Sequence, residues 1–211
     1  MIKFKTSERN VFFTSDPHMD HDRDFVWEVR GYKSAVEHKE GVIKKWNEVV
    51  TPNDIVFSLG DFQFGKDSEK NMIETLQRLN FSEIFLIQGN HGSGWKQLKQ
   101  NKGRHFDLGD KKVNLSPDYM ELIVDGQPIV VCHYPIVSWN GQGKGSFMLH
   151  GHCHGNLANT EIGKILYKAK IMDVGIDRLG RPMSFAEVKE ILDAREAVSF
   201  DHHNSQTQNP F

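Results

Sequence analysis

The stretch Ile55-Val56-Phe57-Ser58-Leu59-Gly60-Asp61 decides the fold. An unbroken run this short is too brief for a helix and fits a strand buried on both faces, and Gly60-Asp61 closes it on a turn. On its N-terminal side, residues 34–50 carry Val42, Ile43, Trp46, Val49 and Val50 at helical spacing, with Ser34 and Glu37 placed as a capping box. Thr51-Pro52-Asn53-Asp54 breaks that helix before the strand begins. Further upstream, residues 10–15 read Asn-Val-Phe-Phe-Thr-Ser, a β-rich run that stops at Pro17, which has no N–H to give to a ladder. Downstream, residues 68–80 place Met72, Ile73, Leu76 and Leu79 on one helical face, and Ile84-Phe85-Leu86-Ile87 is a further apolar strand closed by Gly89-Asn90-His91. The first ninety residues therefore read β-α-β-α-β, the pattern of a mixed α/β sheet.

Beyond residue 91 the alternation changes. Residues 92–118 are irregular and lysine-rich and read as a long loop or small insertion. A hairpin follows, Tyr119–Val124 and Pro128–Cys132 around Asp125-Gly126, then a glycine-rich loop at 138–145 around Trp139. Phe147-Met148-Leu149 is a brief strand, Ile171–Ile176 a last one, and Ser184 with Glu187 predicts a capped helix to about Arg195. The change from β-α to β-β units implies two halves of one sandwich. Residues 1–195 are thus expected to form a single domain, and the polar tail 196–211, with His202-His203, to be disordered and inert.

Composition narrows the classes. The chain has 211 residues, enough for a core without staples. Net charge is -2, from 26 basic and 28 acidic residues, which gives no general pull toward nucleic acid or an anionic membrane. No apolar run approaches the length of a membrane span, and Met1 to Asn10 lack the apolar core of a secretory signal. Two cysteines, Cys132 and Cys153, fit free thiols in a reducing compartment, so a cytoplasmic location is expected. Histidine is the unusual residue. There are 11, and His91, His133, His150, His152 and His154 fall in or beside short glycine-containing turns.

Five motifs each end an apolar run: Asp16-Pro17-His18, Gly60-Asp61, Gly89-Asn90-His91, His133 and Gly151-His152-Cys153-His154. Strand ends of an α/β sheet converge on one rim, where ligands bind. Seven side chains there can ligate a metal: Asp16, Asp61, Asn90, His18, His133, His152 and His154. One transition-metal ion needs about four protein donors, so this set suits two ions. Imidazole and carboxylate donors point to manganese, iron, zinc or nickel rather than calcium, with manganese favoured. Asp61, the lone carboxylate of its motif, is the natural bridge between the two ions.

This motif order resembles that of the calcineurin-like metallophosphoesterase superfamily. The narrower likeness is to its small single-domain bacterial and phage members. Ser15-Asp16-Pro17-His18-Met19-Asp20-His21, Trp46-Asn47, Leu59-Gly60-Asp61-Phe62, Cys132-His133-Tyr134-Pro135, Trp139 and Val174-Gly175-Ile176-Asp177 carry it, over about residues 10–190. The resemblance implies a four-layer α-β-β-α sandwich of two mixed sheets flanked by helices, with a dinuclear centre. It implies Asp16, His18 and His154 on one ion, Asn90, His133 and His152 on the other, Asp61 between them, and His91 as the general acid. Two ions in such a site clamp a phosphate and lower the pKa of a bridging water, which becomes the nucleophile, while a positioned imidazole protonates the leaving oxygen.

The expected activity is metal-dependent phosphoester hydrolysis, on small or nucleotide phosphodiesters. Phosphomonoester hydrolysis on the same site and a non-catalytic scaffold are the alternatives. Two departures from the family pattern stand out. Gly92 replaces the acidic residue that helps orient the histidine in many members, and Phe62-Gln63-Phe64-Gly65 replaces the continuation typical of phosphoprotein phosphatases. His21 and Arg30 are further candidates for contact with substrate phosphate, the latter competing with a solvated helix charge. The lysines of 96–112 are either a steering patch or a solvated loop, and Cys153 is expected to point away from the metals. Partners are confined to the small substrate, without a membrane and without stable nucleic-acid binding.

Overall fold

The computed structural model describes residues 1–65, 68–198 and 200. In chain order the elements are β1 (Ile2–Phe4), β2 (Val11–Thr14), α1 (Asp24–Trp27), α2 (Ala35–Val49), β3 (Ile55–Ser58), α3 (Ser68–Arg78), β4 (Glu83–Leu86) and α4 (Ser93–Lys102). Then come β5 (His105–Leu108), β6 (Lys111–Leu115), β7 (Tyr119–Val124), β8 (Gln127–Cys132), β9 (Phe147–His150), α5 (Glu161–Leu166), β10 (Ile171–Asp173), β11 (Met183–Ser184) and α6 (Phe185–Asp193). They build two mixed sheets flanked by helices. One runs β11-β2-β3-β4-β6-β5, with β2, β3, β4 and β6 parallel and the two edge strands antiparallel. The other runs β1-β7-β8-β9-β10, and only its β7–β8 hairpin is antiparallel.

Strand periodicity divides the core. Val11 and Phe13, Ile55 and Phe57, and Phe85 face the second sheet and meet Leu122, Val124, Ile129, Val131, Phe147 and Leu149. The intervening Phe12, Val56, Ile84 and Leu86 face outward onto Val42, Trp46, Met72, Leu76 and Trp95 of the helices. Pairing register aligns Phe13, Phe57 and Phe85 in one row, stacked at centroid distances of 5.5 and 4.6 Å. The outer face of the second sheet packs Val130, Met148 and Ile171 against Leu166 and Trp139.

Helix signals hold at residue level. Ser184 and Glu187 form a complete capping box on α6. On α2, Ser34 Oγ accepts from Glu37 N–H, but Glu37 Oε2 accepts from Lys33 N–H, so only half of that box closes. The expectation of an irregular 92–118 is corrected: it holds α4 and the β5–β6 hairpin. Gly92 starts α4 without a side-chain cap, and only Trp95 and Leu98 mark its buried face. Two lysines of this segment serve the fold. Lys111 Nζ donates to the carbonyls of Leu76, Gln77 and Leu79, capping the end of α3, and Lys99 lies over Trp95 at 5.2 Å.

β1 has no counterpart in the sequence reading. Three residues are held at an edge by Phe4, which packs edge-on against Phe57 and Phe85. The predicted strand 171–176 stops at Asp173, whose Oδ1 accepts from Gly175 N–H; Gly175 then bridges to Ser15, joining the two sheets. Of the expected tail, Val198 packs on the outer cluster of the second sheet and Phe200 N–H donates to Gln142 Oε1. Residues 199 and 201–211, with His202-His203, lie outside the described residues. Among the described residues no helix is long and apolar enough to cross a membrane.

Candidate metal centre

The C-terminal ends of β2, β3, β4, β8 and β9 open on one rim, stitched together by backbone bonds. Asp16 N–H donates to Gly60 O, Ile176 N–H to Ser15 O, and Gly151 N–H to His133 O. The turns after these strands are tight. Asp16, His18, Asp61, His152 and His154 have φ of 54, 47, 49, 69 and 48°. Among the described residues only Asp20 and Asp125 are the other non-glycine residues with positive φ. Such a conformation costs a side chain about 1–3 kcal/mol and marks sites where geometry outranks stability. Five of the seven predicted donors carry that strain. Glycines allow the approach of neighbouring motifs: a Cβ on Gly89 would collide with Asp61 Oδ1, and one on Gly151 with Ser15 Oγ and Asp16 Oδ2.

The two carboxylates are set in the same manner. Asp61 Oδ1 accepts from His91 N–H (2.8 Å), which leaves Oδ2 3.6 Å from His133 Nε2 and 3.8 Å from His18 Nε2. Asp16 Oδ2 accepts from His152 N–H (2.8 Å), and its buried Oδ1 has no hydrogen-bond partner and lies 3.8 Å from His18 Nε2. Asp16, His18 and His154 form one group whose donor atoms lie within 4.8 Å of one another; Asp16, Asp61 and His133 form a second. Asp16 is common to both groups, while Asp61 Oδ2 reaches histidines of both.

The imidazoles are pre-set as ligands. His133 Nδ1 donates to Leu59 O (2.8 Å) and His154 Nδ1 to Asp177 Oδ2 (2.7 Å), and these bonds fix the orientation of both rings. Asn90 Oδ1 then sits 2.7 Å from His133 Nε2 and 2.9 Å from His152 Nδ1. The buried Asp16 Oδ1 has no partner, and a bound cation would satisfy it. The donor set therefore fits divalent metal on both sides of Asp61.

Burial shapes the charge states. It pushes the Asp16 carboxyl up to about 6, against the pull of His133 and His154. It pushes His18 down to about 2, helped by His154 and Arg30, and lowers His152 as well, with His133 adding to the effect. His154 moves up instead, because its bond to Asp177 outweighs its burial.

The remaining candidates lie around this core. His91 is exposed on the rim, its ring edge-on to His18 (5.8 Å) and Phe64 (5.3 Å). An acidic residue has no room at position 92, where a Cβ would collide with Gln88, so Phe64 and His18 contact the His91 ring in place of a carboxylate partner. His21 is buried, stacked on Phe64 at 4.0 Å, with Nδ1 accepting from Arg23 N–H. Arg30 turns inward and spends its guanidinium on the fold. It donates to both Asp177 oxygens, to the carbonyls of Asp16 and Pro17, and to His38 Nε2. No N–H is left over for a phosphate. Its role, together with that of Asp177, is to hold the first motif and His154, a role the sequence reading misses. Cys153 is a half-buried free thiol, and Cys132 a buried one.

No model of a known protein family matches the chain. It is 27% identical over 193 residues to the uncharacterized protein MJ1445 of Methanocaldococcus jannaschii, covering 91% of this chain and 96% of that one. It is 26% identical over 202 residues to the gene 66 protein of Mycobacterium phage L5, covering 87% and 94%. The crystal structure of AQ665 from Aquifex aeolicus, a protein of unknown function, superposes with a TM-score of 0.62 at 17% identity, over 87% of this chain and 99% of that one. What this structural likeness establishes is a shared fold.

Proposed function

We propose that the chain is a metal-dependent phosphoester hydrolase with a two-metal centre, acting on small or nucleotide phosphodiesters. In this reading it has the four-layer sandwich of the calcineurin-like metallophosphoesterases. One observation carries the proposal: five strand ends bring two buried carboxylates, an amide oxygen and four imidazoles onto one rim, where two Asp/His groups have donor atoms within 4.8 Å of one another and Asp16 Oδ1 has no partner. Asp16, His18 and His154 would hold one divalent ion, Asn90, His133 and His152 the other, with Asp61 between them. When bound, such a pair neutralises charge on the non-bridging phosphate oxygens and activates water.

The protein's own groups do the rest. Hydrolysis adds water to phosphorus, breaks the P–O bond to the departing alcohol and requires a proton on that oxygen. The His91 imidazole, exposed on the rim and tied through its backbone to Asp61, is placed to give that proton. Asp177 fixes the tautomer of His154, and Arg30 fixes the Asp16-Pro17 backbone. The test is turnover of an aryl phosphodiester and an aryl phosphomonoester by the purified chain with manganese, nickel, zinc or iron, alongside elemental analysis. Metal-dependent diester cleavage is expected. Absence of turnover with every metal would refute the proposal, and faster monoester cleavage would reverse the substrate preference.

A further inference from the structure

A cleft of about 840 Å³ opens beside His154 and Asp177, within the roughly 300–1,000 Å³ typical of ligand sites. Its walls differ in chemistry. Phe25, in the first turn of α1, leaves 64% of its surface exposed, and Val29 and Leu179 are exposed at 78% and 42%. The Phe25 ring meets the edge of His21 at 5.7 Å. A large aromatic left open in a cleft offers a flat group a surface to stack on.

The other wall is cationic. Lys45 and Arg178 line the cleft, and neither forms an ion pair among the described residues. Lys45 Nζ lies over the Tyr32 ring at 5.8 Å, close to Gly180. Asp177, the one acidic residue of the lining, is already engaged by Arg30 and His154. The cleft thus pairs an open aromatic ring with two cations that form no ion pair among the described residues, beside the proposed metal centre.

We infer that this cleft takes the nucleoside phosphate portion of a nucleotide phosphodiester, its base against Phe25 and a second, non-reacting phosphate between Lys45 and Arg178. The inference rests on the hydrolase reading for the group at the metals, and it names the substrate as a nucleotide that carries a phosphate beyond the one cleaved.

Binding separates the two readings. Equilibrium binding of adenosine 5′-monophosphate to the full chain is measured with and without manganese, beside adenosine and inorganic phosphate. The nucleotide is expected to bind at least tenfold tighter than either fragment, manganese present or not. Lys45→Ala, Arg178→Ala and Phe25→Ala, all on exposed side chains, are each expected to weaken it about tenfold, with Lys45→Arg and Phe25→Trp restoring it. Equal binding of adenosine, or nucleotide affinity untouched by these variants, overturns the inference. If aryl diester turnover fails while nucleotide binding follows this pattern, the hydrolase reading falls and the cleft stands. If turnover succeeds and the pattern is absent, the cleft alone falls.

Discussion

Asp54 and Asp16 are buried aspartates at opposite ends of the same sheet, and they are treated in opposite ways. Asp54 lies just before β3, where Oδ1 accepts from Asn10 Nδ2 (3.0 Å) and Oδ2 from Thr51 N–H (2.7 Å). Asp16 follows β2 with a left-handed backbone, one oxygen held and the other bare. Thr14 Oγ1, Ser15 Oγ, His18 Nδ1 and Ser58 Oγ, at the same end, are also buried without partners. One end of the sheet satisfies its polar groups, as a folded chain must. The other leaves them unpartnered on a strained backbone, a combination that suits a site completed by a ligand or by ordered water.

Substitutions can break or sharpen this contrast. Asp61→Asn should have the largest effect, emptying both metal positions and cutting hydrolysis by about 10³-fold, the several kcal/mol a metal pair supplies. Elemental analysis showing full metal content would contradict its place between the ions. His91→Ala should keep both metals and lose roughly 10²-fold on poor leaving groups, less on aryl esters, which need little protonation. Loss of metal instead would place His91 among the ligands. Asp177→Asn should weaken metal binding about 10–100-fold through His154 and the Arg30-held first motif, read as one metal lost before the other on chelation.

The stability pair is the most direct comparison of the two ends. Asp54→Ala should cost about 1–2 kcal/mol in denaturant unfolding, since it removes the bonds from Thr51 N–H and Asn10, and should leave metal content unchanged. Asp16→Asn in the metal-free chain should do the reverse and raise stability at pH 7. With Asp16 raised to about 6, its favourable contribution is complete below about pH 4 and is lost as pH rises through 6, when burial penalises the charged form. The gain from Asn should therefore shrink as the metal-free chain is taken from pH 7 toward pH 4. A gain that is constant across that range would remove Asp16 as its source.

What is legible in the sequence follows from how each feature is encoded. β2, β3 and β4 are continuous apolar runs ended by polar turns, so strand and site are read together. The α4 to β6 segment hides because Gly92 caps without a side chain and β6 opens on Lys111 and Lys112, the first of which bonds carbonyls at the end of α3. All seven candidate donors lie in short local motifs and can be read directly. Arg30 and Asp177 cannot, because their roles arise from a pairing across 147 positions that turns an arginine inward from a surface helix. The cause that leaves no room for an acid after His91 is equally non-local to pattern reading: the Gln88 backbone and side chain fill the space.

The crossed backbone bonds at the rim bear on how the centre fills. The peptide of His152, from one half, aims the Asp16 carboxylate of the other, and the peptide of His91 aims Asp61 between them. A first cation settling on His152 would stiffen the turn that presents Asp16 to the second. Uptake would then climb more steeply with free metal than two independent isotherms allow, and a singly loaded protein would be a scarce species at every point of the titration.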